Sequence, residues 1–260
     1  MYTSFAEVYD QLMDNVNYDR WADFYRDMLW HNGVMQGSKV CECACGTGGL
    51  TLPLYRRGFQ MTGVDLSQEM LWIAAQKARK QGIGLPFIQQ DMRKLHLHRQ
   101  MDAVLATCDG VNYLIDDKDV LAFFQSAWKA LRPGGGLFFD VSTPYKLRNA
   151  LGNQVICEDL ENITYMWQNR FNEKTGVIDM HLCIFVKQED GSYKRIDEEQ
   201  KQRAHSMQGL ASLLQQAGFD RVMVYGNGRM DAPRDNEHRW HFAAIKRLDP
   251  DGALEEGRSI

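Results

Sequence analysis

The stretch Val40-Cys41-Glu42-Cys43-Ala44-Cys45-Gly46-Thr47-Gly48-Gly49 decides how this chain folds. Its apolar first half predicts a short buried strand over residues 40–44, and its glycines predict a sharp turn before a helix over residues 50–57. Gly46 and Gly48 have no side chain, so the backbone can turn tightly and approach a ligand closely. The free N–H groups at the start of the helix would face that ligand, which suits a nucleotide-like cofactor.

The pattern of dinucleotide-binding proteins, G-x-G-x-x-G, does not fit this turn, because its third glycine would fall on Thr51. The chain instead has an acidic residue, a small residue and two glycines at alternating positions, namely Glu42, Ala44, Gly46 and Gly48. This arrangement resembles the first motif of the class I S-adenosylmethionine (SAM)-dependent methyltransferases, with alanine where that family often has glycine. The resemblance implies that Glu42 meets the ammonium group of SAM, directly or through water.

Two further acidic residues end predicted strands. Asp65 closes a strand over residues 59–65, and Ser67 then caps a helix. A carboxylate at this place in a parallel sheet can accept hydrogen bonds from both ribose hydroxyls of a nucleoside, although it could also serve only as a helix cap. A third strand ends in Asp91-Met92. The family resemblance implies that Asp91 accepts a hydrogen bond from the adenine amino group and that Met92 covers the ring.

The substrate side is predicted after the fourth strand, over residues 101–108. The resemblance places the family's active face at the carboxyl end of this strand, which makes Asp109, Asn112 and Tyr113 candidates for substrate contact. A helix over residues 120–131 follows. The passage Arg132-Pro133-Gly134-Gly135 is then predicted to turn the chain back into a fifth strand, over residues 137–141. This helix, turn and strand recur in the same family.

The opening Phe5-Ala6-x-x-Tyr9-Asp10 lies on the first of two predicted N-terminal helices. It resembles the small-molecule branch of the family, which includes the N,N-dimethyltransferases of nucleotide-linked amino sugars. In that branch the tyrosine lies near the methyl group, which implies the same place for Tyr9. Trp21 is expected to close over the methionine end with it, since aromatic faces attract a sulfonium, although both could only anchor the helices. A histidine of that branch aligns with Tyr113, so no base is identified.

The pattern changes after the fifth strand, where three strand-like segments at residues 163–169, 177–186 and 193–200 predict an antiparallel meander. A helix and two more strands follow. The predicted fold class is α/β, a doubly wound, seven-stranded and mostly parallel Rossmann-like methyltransferase sheet with an antiparallel β insertion. The expected organisation is an N-terminal helical lid (1–35), a SAM-binding core (36–145 and 205–248), the β insertion (146–204) and a flexible tail (249–260).

The cysteines and paired histidines indicate no metal and no disulfide. Cys41, Cys43 and Cys45 alternate along the first strand, so their side chains share one face and cannot be joined to one another. They lack the C-x-x-C spacing of zinc sites. His96 and His98 have no cysteine or carboxylate at ligand spacing beside them. Cysteines that serve as small buried hydrophobic residues indicate a reduced, cytoplasmic protein.

The sequence therefore predicts a SAM-dependent methyltransferase that acts on a nitrogen or oxygen atom of a small-molecule acceptor. The candidate catalytic residues are Tyr9, Tyr113 and His205, and His181 on the insertion is a further histidine that could approach the pocket. For both histidines a structural role is the alternative. The candidate cofactor-binding residues are Tyr9, Trp21, Glu42, Ala44, Cys45, Gly46, Gly48, Asp65, Leu66, Met70, Asp91, Met92 and Cys108.

Two other functions stay open: an RNA or protein methyltransferase, and a SAM-binding protein without catalysis. The net charge of -4 and the scattered basic residues argue against a nucleic-acid partner. An Asn-Pro-Pro-Tyr-like element is also missing after the fourth strand, where the chain has Cys108-Asp109-Gly110-Val111. No apolar run approaches the roughly 20 residues of a membrane span, and no signal peptide is expected. A homodimer through the β insertion stays open.

Overall fold

The computed structural model of the chain describes residues 5–248, so the predicted tail and the first four residues of the predicted lid lie outside the described part. The helices are α1 (Phe5–Leu12), α2 (Tyr18–His31), α3 (Thr51–Arg56), α4 (Gln68–Lys80), α5 (Asp117–Ala130) and α6 (Met207–Gln216). The strands are β1 (Lys39–Cys43), β2 (Gln60–Asp65), β3 (Phe87–Gln89), β4 (Met101–Ala106), β5 (Leu131–Ser142), β6 (Val155–Asp159), β7 (Ile163–Asn172), β8 (Val177–Lys187), β9 (Tyr193–Arg203), β10 (Phe219–Tyr225) and β11 (Arg239–Lys246).

Seven of these strands form one sheet in the order β10-β11-β5-β4-β1-β2-β3. Strands β1 to β5 pair in parallel, whereas β11 runs antiparallel to both β5 and β10. This confirms the predicted fold class. The order of the strands reverses between β1 and β4, and ligands of such sheets bind in the crevice outside the carboxyl ends of the strands at that point.

The sheet is buried on both faces, which explains the nearly continuous apolar runs of its central strands. Phe138 and Phe139 are neighbours on β5 and point to opposite sides. Phe139 stacks on Phe242, with ring centroids 4.7 Å apart, in the layer of α5 and α6. Phe138 packs with Tyr25 and Leu54 in the layer of α2 and α3. Helices therefore cover the sheet on both sides.

A second sheet, in the order β6-β7-β8-β9, is wholly antiparallel and lies in the chain between β5 and α6. One face of it packs against α1 through Ile163, Ile184 and Val8. The same face packs against the helical turn Lys146–Ala150, where Leu147 contacts Phe171. The sheet thus holds α1 in place over the main sheet.

Three local expectations need correction. The segment at residues 132–135 is part of β5 instead of a separate turn, because Leu131 already pairs with Met101 before the register shifts. Strand β6 was not predicted, since it is a largely exposed edge strand with little apolar pattern. Strand β3 has only three residues, where eight were expected. Within residues 5–248 no helix has the length and apolar character to cross a membrane.

Candidate active site

A cavity of about 800 Å³ opens at the carboxyl ends of β1, β2 and β4, and α1 and β9 border it. Its volume is that of a typical small-molecule site. Twelve of the residues that the sequence predicted for the site line this cavity: Tyr9, Glu42, Ala44, Cys45, Gly46, Asp65, Leu66, Met70, Asp91, Met92, Cys108 and Tyr113.

The two glycines of the turn after β1 differ in their surroundings. Gly46 has a φ of 53° and would have nothing within 4 Å of an added Cβ atom, so its backbone faces the open cavity. At Gly48 an added Cβ would lie 3.3 Å from the Cβ of Ala74 and 3.5 Å from the ring of Phe87. Gly48 therefore allows the turn to pack against α4 and β3, and the structure does not place it against the cavity.

Glu42 lies at the base of the cavity, with only 2% of its surface exposed. Its carboxylate accepts hydrogen bonds from the hydroxyl of Thr51 at 2.5 Å and from the hydroxyl of Thr107 at 2.7 Å. Burial raises the pKa of this carboxyl to about 7, against the two hydrogen bonds that lower it. Thr51 is thus both the residue that breaks the dinucleotide pattern and one that orients the acid.

Asp65 ties the turn after β1 to the start of α4. One carboxylate oxygen accepts from the N–H of Gly46 at 2.8 Å, and the other accepts from the N–H of Ser67 at 2.9 Å. Ser67 in turn caps α4 by accepting from the N–H of Met70. The carboxylate therefore has a structural role, and its predicted contact with ribose would be added to that role.

Asp91 forms an ion pair with Arg93, whose Nη2 lies 2.6 Å from the carboxylate. The hydrogen bonds from Arg93 lower the pKa of Asp91 below its usual value. The same guanidinium binds Asp119 of α5 at 2.8 Å, so it joins the end of β3 to α5. Arg93 lines the cavity but was not predicted, although its place two residues after Asp91 could have indicated it.

Three tyrosines line the cavity, namely Tyr9, Tyr18 and Tyr113. Burial raises the pKa values of Tyr9 and Tyr18 well above 10, so both phenols keep their protons at neutral pH. The hydroxyl of Tyr113 donates to Oε1 of Gln200 on β9 at 2.9 Å. Tyr18 was not predicted as a site residue, yet its ring covers Gly49 so closely that an added Cβ would lie 2.7 Å from it.

Other predicted residues lie outside the cavity lining. Trp21 packs against Tyr25, one turn further along α2, and its indole lies under the guanidinium of Arg239 at 4.9 Å. His205 is buried, and its burial lowers its pKa to about 4, so the ring is neutral. His181 pairs with Asp197 on the partly exposed face of the insertion. Within residues 5–248 no group of side chains has the arrangement of a metal site, and no histidine lines the cavity.

The predicted substrate residues Asp109 and Asn112 have structural partners. Asn112 is fully buried, and its amide bonds to the backbone of Ser142 and to the carbonyl of Arg203. Asp109 forms an ion pair with Arg239. Of the three predicted substrate residues, only Tyr113 borders the cavity.

The turn that carries Cys108 and Asp109 is held from below by Asp140. Both turn residues have left-handed φ values, 54° and 66°, which non-glycine residues adopt at a cost. The fully buried carboxylate of Asp140 accepts from both of their N–H groups, at 2.9 Å and 3.1 Å. Arg239 bridges Asp140 and Asp109, and Tyr25 donates to Asp140 at 2.8 Å. This network fixes the backbone that borders the cavity at Cys108.

The comparisons with known proteins agree with this geometry. The family model described as "Methyltransferase domain" matches residues 40–135. A protein of Geobacillus sp. (strain WCH70) named as a methyltransferase is 33% identical over 94% of this chain and 99% of its own. The solved SAM-dependent methyltransferase from Clostridium acetobutylicum ATCC 824 superposes with a TM-score of 0.85, at 30% identity over 94% of this chain and 98% of that one.

A more distant structure shares the fold alone. The sugar N-methyltransferase KedS8 from Streptoalloteichus sp. ATCC 53650 superposes with a TM-score of 0.75 at 20% identity, over 95% of this chain and 96% of that one. Because the coverage is nearly complete, the similarity includes the second sheet and the N-terminal helices as well as the central sheet.

Proposed function

Because the chain belongs to the family of SAM-dependent methyltransferases, we propose that it moves the methyl group of SAM to a nitrogen or oxygen atom of a small molecule. The observation that supports a small acceptor is the roof of the cavity. Helix α1 supplies Phe5 and Tyr9, and strand β9 supplies Glu198 and Gln200, so that both border the same space as Gly46. A cavity of about 800 Å³ covered in this way suits the cofactor together with a compact acceptor.

The donor groups of the cavity fit SAM. Glu42 offers a buried carboxylate for an ammonium group, and the open backbone at Gly46 lets the methionine part approach. Asp65 and Asp91 offer acceptors for ribose hydroxyls and for an exocyclic amine, and Met92 offers an apolar cover for the adenine. SAM supplies a methyl group that is already activated on a sulfonium. These assignments are our proposal for the roles of the lining residues.

The protein's own contribution is positioning. Holding two reactants in line at near-attack distance can contribute roughly 7–11 kcal/mol to lowering the barrier. Tyr9, Tyr18 and Tyr113 border the acceptor end, and as protonated phenols they can orient an acceptor through hydrogen bonds. The network of Asp140 and Arg239 keeps the Cys108 turn rigid beneath them.

Calorimetry tests the cofactor proposal directly. SAM and S-adenosylhomocysteine (SAH) should each bind with measurable heat, and the variant Asp190→Ala should bind equally well, because Asp190 lies in the exposed turn between β8 and β9. Absence of heat with either compound up to millimolar concentration would defeat the proposal. Transfer of label from methyl-labelled SAM to a metabolite panel separates an enzyme from a protein that only binds SAM.

Three further expectations belong to this proposal. We expect no RNA substrate. If the protein retained bulk tRNA in a gel, the alternative of an RNA methyltransferase would be supported instead. A homodimer through the second sheet is checked by sedimentation of the purified protein.

We propose the cytoplasm as the compartment of the protein, since all six cysteines are free thiols in the structure.

A further inference from the structure

The part of the cavity that Tyr113 and β9 border, which we assign to the acceptor and call the acceptor end, carries acidic side chains. Tyr113 donates to Gln200, and the side chain of Gln200 hydrogen-bonds to the carboxylate of Glu198, two residues earlier on the same face of β9. Glu69, in the first turn of α4, borders the same space. Burial raises the pKa of Glu198, and the nearby charge of Glu69 raises it further, so the two carboxylates act on each other across the cavity.

The cations of the cavity are already paired. Among the described lining residues the only cations are Arg93 and Lys201. Arg93 binds Asp91 at 2.6 Å and Asp119 at 2.8 Å, and Lys201 binds Asp179 at 2.7 Å. In contrast, neither Glu69 nor Glu198 has an ion-pair partner within residues 5–248. A phosphate or carboxylate on the acceptor would therefore meet uncompensated negative charge at this end.

The acceptor end has no histidine among its described residues, and its tyrosines are poor general bases. No histidine of the described chain lines the cavity. Burial raises the pKa of Tyr9 far above 10 and that of Tyr113 to about 12. A hydroxyl acceptor needs a general base, which here would have to be a carboxylate such as Glu198, whereas an amine reacts through its own lone pair once it is neutral. An amine is also attracted as a cation by the carboxylates of Glu198 and Glu69, which are unpaired within residues 5–248, and this attraction favours nitrogen over oxygen.

We propose that the acceptor is a small amine without phosphate or carboxylate groups, drawn into the cavity as a cation by Glu198 and Glu69. This inference rests on the proposed methyltransferase function and specifies its substrate class. The bound ammonium loses a proton to water, and the lone pair of the neutral amine then forms the new N–C bond. The S–C bond breaks with its electron pair remaining on sulfur, so the products are a methylated ammonium and SAH. The negative charges of Glu198 and Glu69 also exclude an acceptor linked to a nucleoside diphosphate.

Matched acceptors test the proposal. With SAM and the full chain, SAH release is measured for putrescine, tyramine and glucosamine, and for the corresponding acids succinate, 4-hydroxyphenylacetate and glucuronate. At least one amine should be turned over with a kcat/KM about tenfold or more above that of its matched acid. UDP-glucosamine should be a poorer acceptor than glucosamine, because it adds two phosphates to the same amine.

The variant Glu198→Gln tests whether Glu198 attracts the amine acceptor. Its KM for the preferred amine should rise about tenfold while its SAH affinity and melting temperature stay near those of the unchanged protein, and Glu69→Gln should act in the same direction. Glu189→Gln, in the exposed turn before β9, is the matched control and should change neither value. If Glu198→Gln does not fold, Glu69→Gln carries the test alone.

Three results would overturn the inference. They are a faster reaction of an acid or of UDP-glucosamine, an unchanged KM in both variants, and no turnover of any amine by a protein that binds SAH. A protein that does not bind SAH would instead show that the proposed function itself is wrong.

Discussion

Lys77 on α4 donates a hydrogen bond of 2.7 Å to Asp10, which lies on α1. The second carboxylate oxygen of Asp10 accepts from the hydroxyl of Thr47 at 2.6 Å, in the turn after β1. Asp10 thus joins the N-terminal helix to the turn and to α4 at one point. Because Tyr9 precedes it in the chain, this junction also fixes Tyr9 over the cavity.

The first prediction concerns this junction. Asp10→Ala removes the partner of both Thr47 and Lys77, so helix α1 should be held less firmly over the cofactor. Since Asp10 and Lys77 are partly exposed, we expect a modest loss of SAH affinity, about 1 kcal/mol or roughly fivefold. Calorimetry measures it. Asp14→Ala, an exposed carboxylate just beyond the same helix, is the control, and equal affinities in the two variants would contradict the prediction.

The second prediction tests whether Asp65 binds the cofactor or only holds the start of α4. Asp65→Ala should weaken SAM binding by about 1–3 kcal/mol, because the proposed acceptor for the ribose hydroxyls is lost along with the bonds to Gly46 and Ser67. Asp65→Asn keeps one oxygen acceptor and should lose less. Affinity comes from calorimetry and stability from urea unfolding. A variant that loses stability but keeps its affinity would show that Asp65 is only a structural link.

The convergence of Glu42, Asp65 and Asp91 could be predicted from local sequence, because the carboxyl ends of parallel strands lie at one edge of the sheet. Each acid lies at or just beyond the end of a strand, and the carboxyl ends of neighbouring parallel strands meet at one edge of the sheet. The structure brings all three to the cavity beside Gly46. The glycines and apolar strands that predict it all lie between Val40 and Met92.

The groups that complete the site were not predictable in the same way. Asp140 lies near the carboxyl end of the buried strand β5 and pairs with Arg239 across 99 positions of sequence, so no local pattern marks the pair. Gln200 meets Tyr113 only because the second sheet folds back over the cavity. Such contacts depend on how the sheets pack together, which periodicity does not describe. Trp21 was expected to close over the methionine end, but it is not among the residues that line the cavity, and its indole packs against Tyr25 and Arg239.

The pair of Asp140 and Arg239 gives a third prediction. Asp140 has no exposed surface, so Arg239→Ala leaves a buried carboxylate without its cation. Breaking a buried ion pair from one side typically costs about 3–5 kcal/mol. Urea unfolding should show a loss of that order. Arg195→Ala breaks an exposed pair with Asp197 on the second sheet and should change the unfolding free energy very little. Similar losses in both variants would contradict the assigned role of Asp140.

The raised pKa of Glu42 makes a fourth prediction, on the pH dependence of stability. The folded protein holds a proton on this carboxyl up to about pH 7, whereas the unfolded chain releases it near the ordinary glutamate pKa of 4.5. Between these values the folded state binds more protons, so stability from this group is present below the unfolded pKa and is lost as the pH rises through 7. The full effect is on the order of 3 kcal/mol.

The variant Glu42→Gln isolates that effect. It cannot titrate at this position, while the buried His205 and His241, whose pKa values are lowered by burial, are present in both proteins and cancel in the comparison. From about pH 5 to about pH 8 the unfolding free energy of the unchanged protein should therefore fall relative to that of the variant, by about 2–3 kcal/mol. Urea unfolding at several pH values measures the difference. If it stays constant across this range, Glu42 is ionised throughout, and its two threonine hydrogen bonds outweigh the cost of its burial.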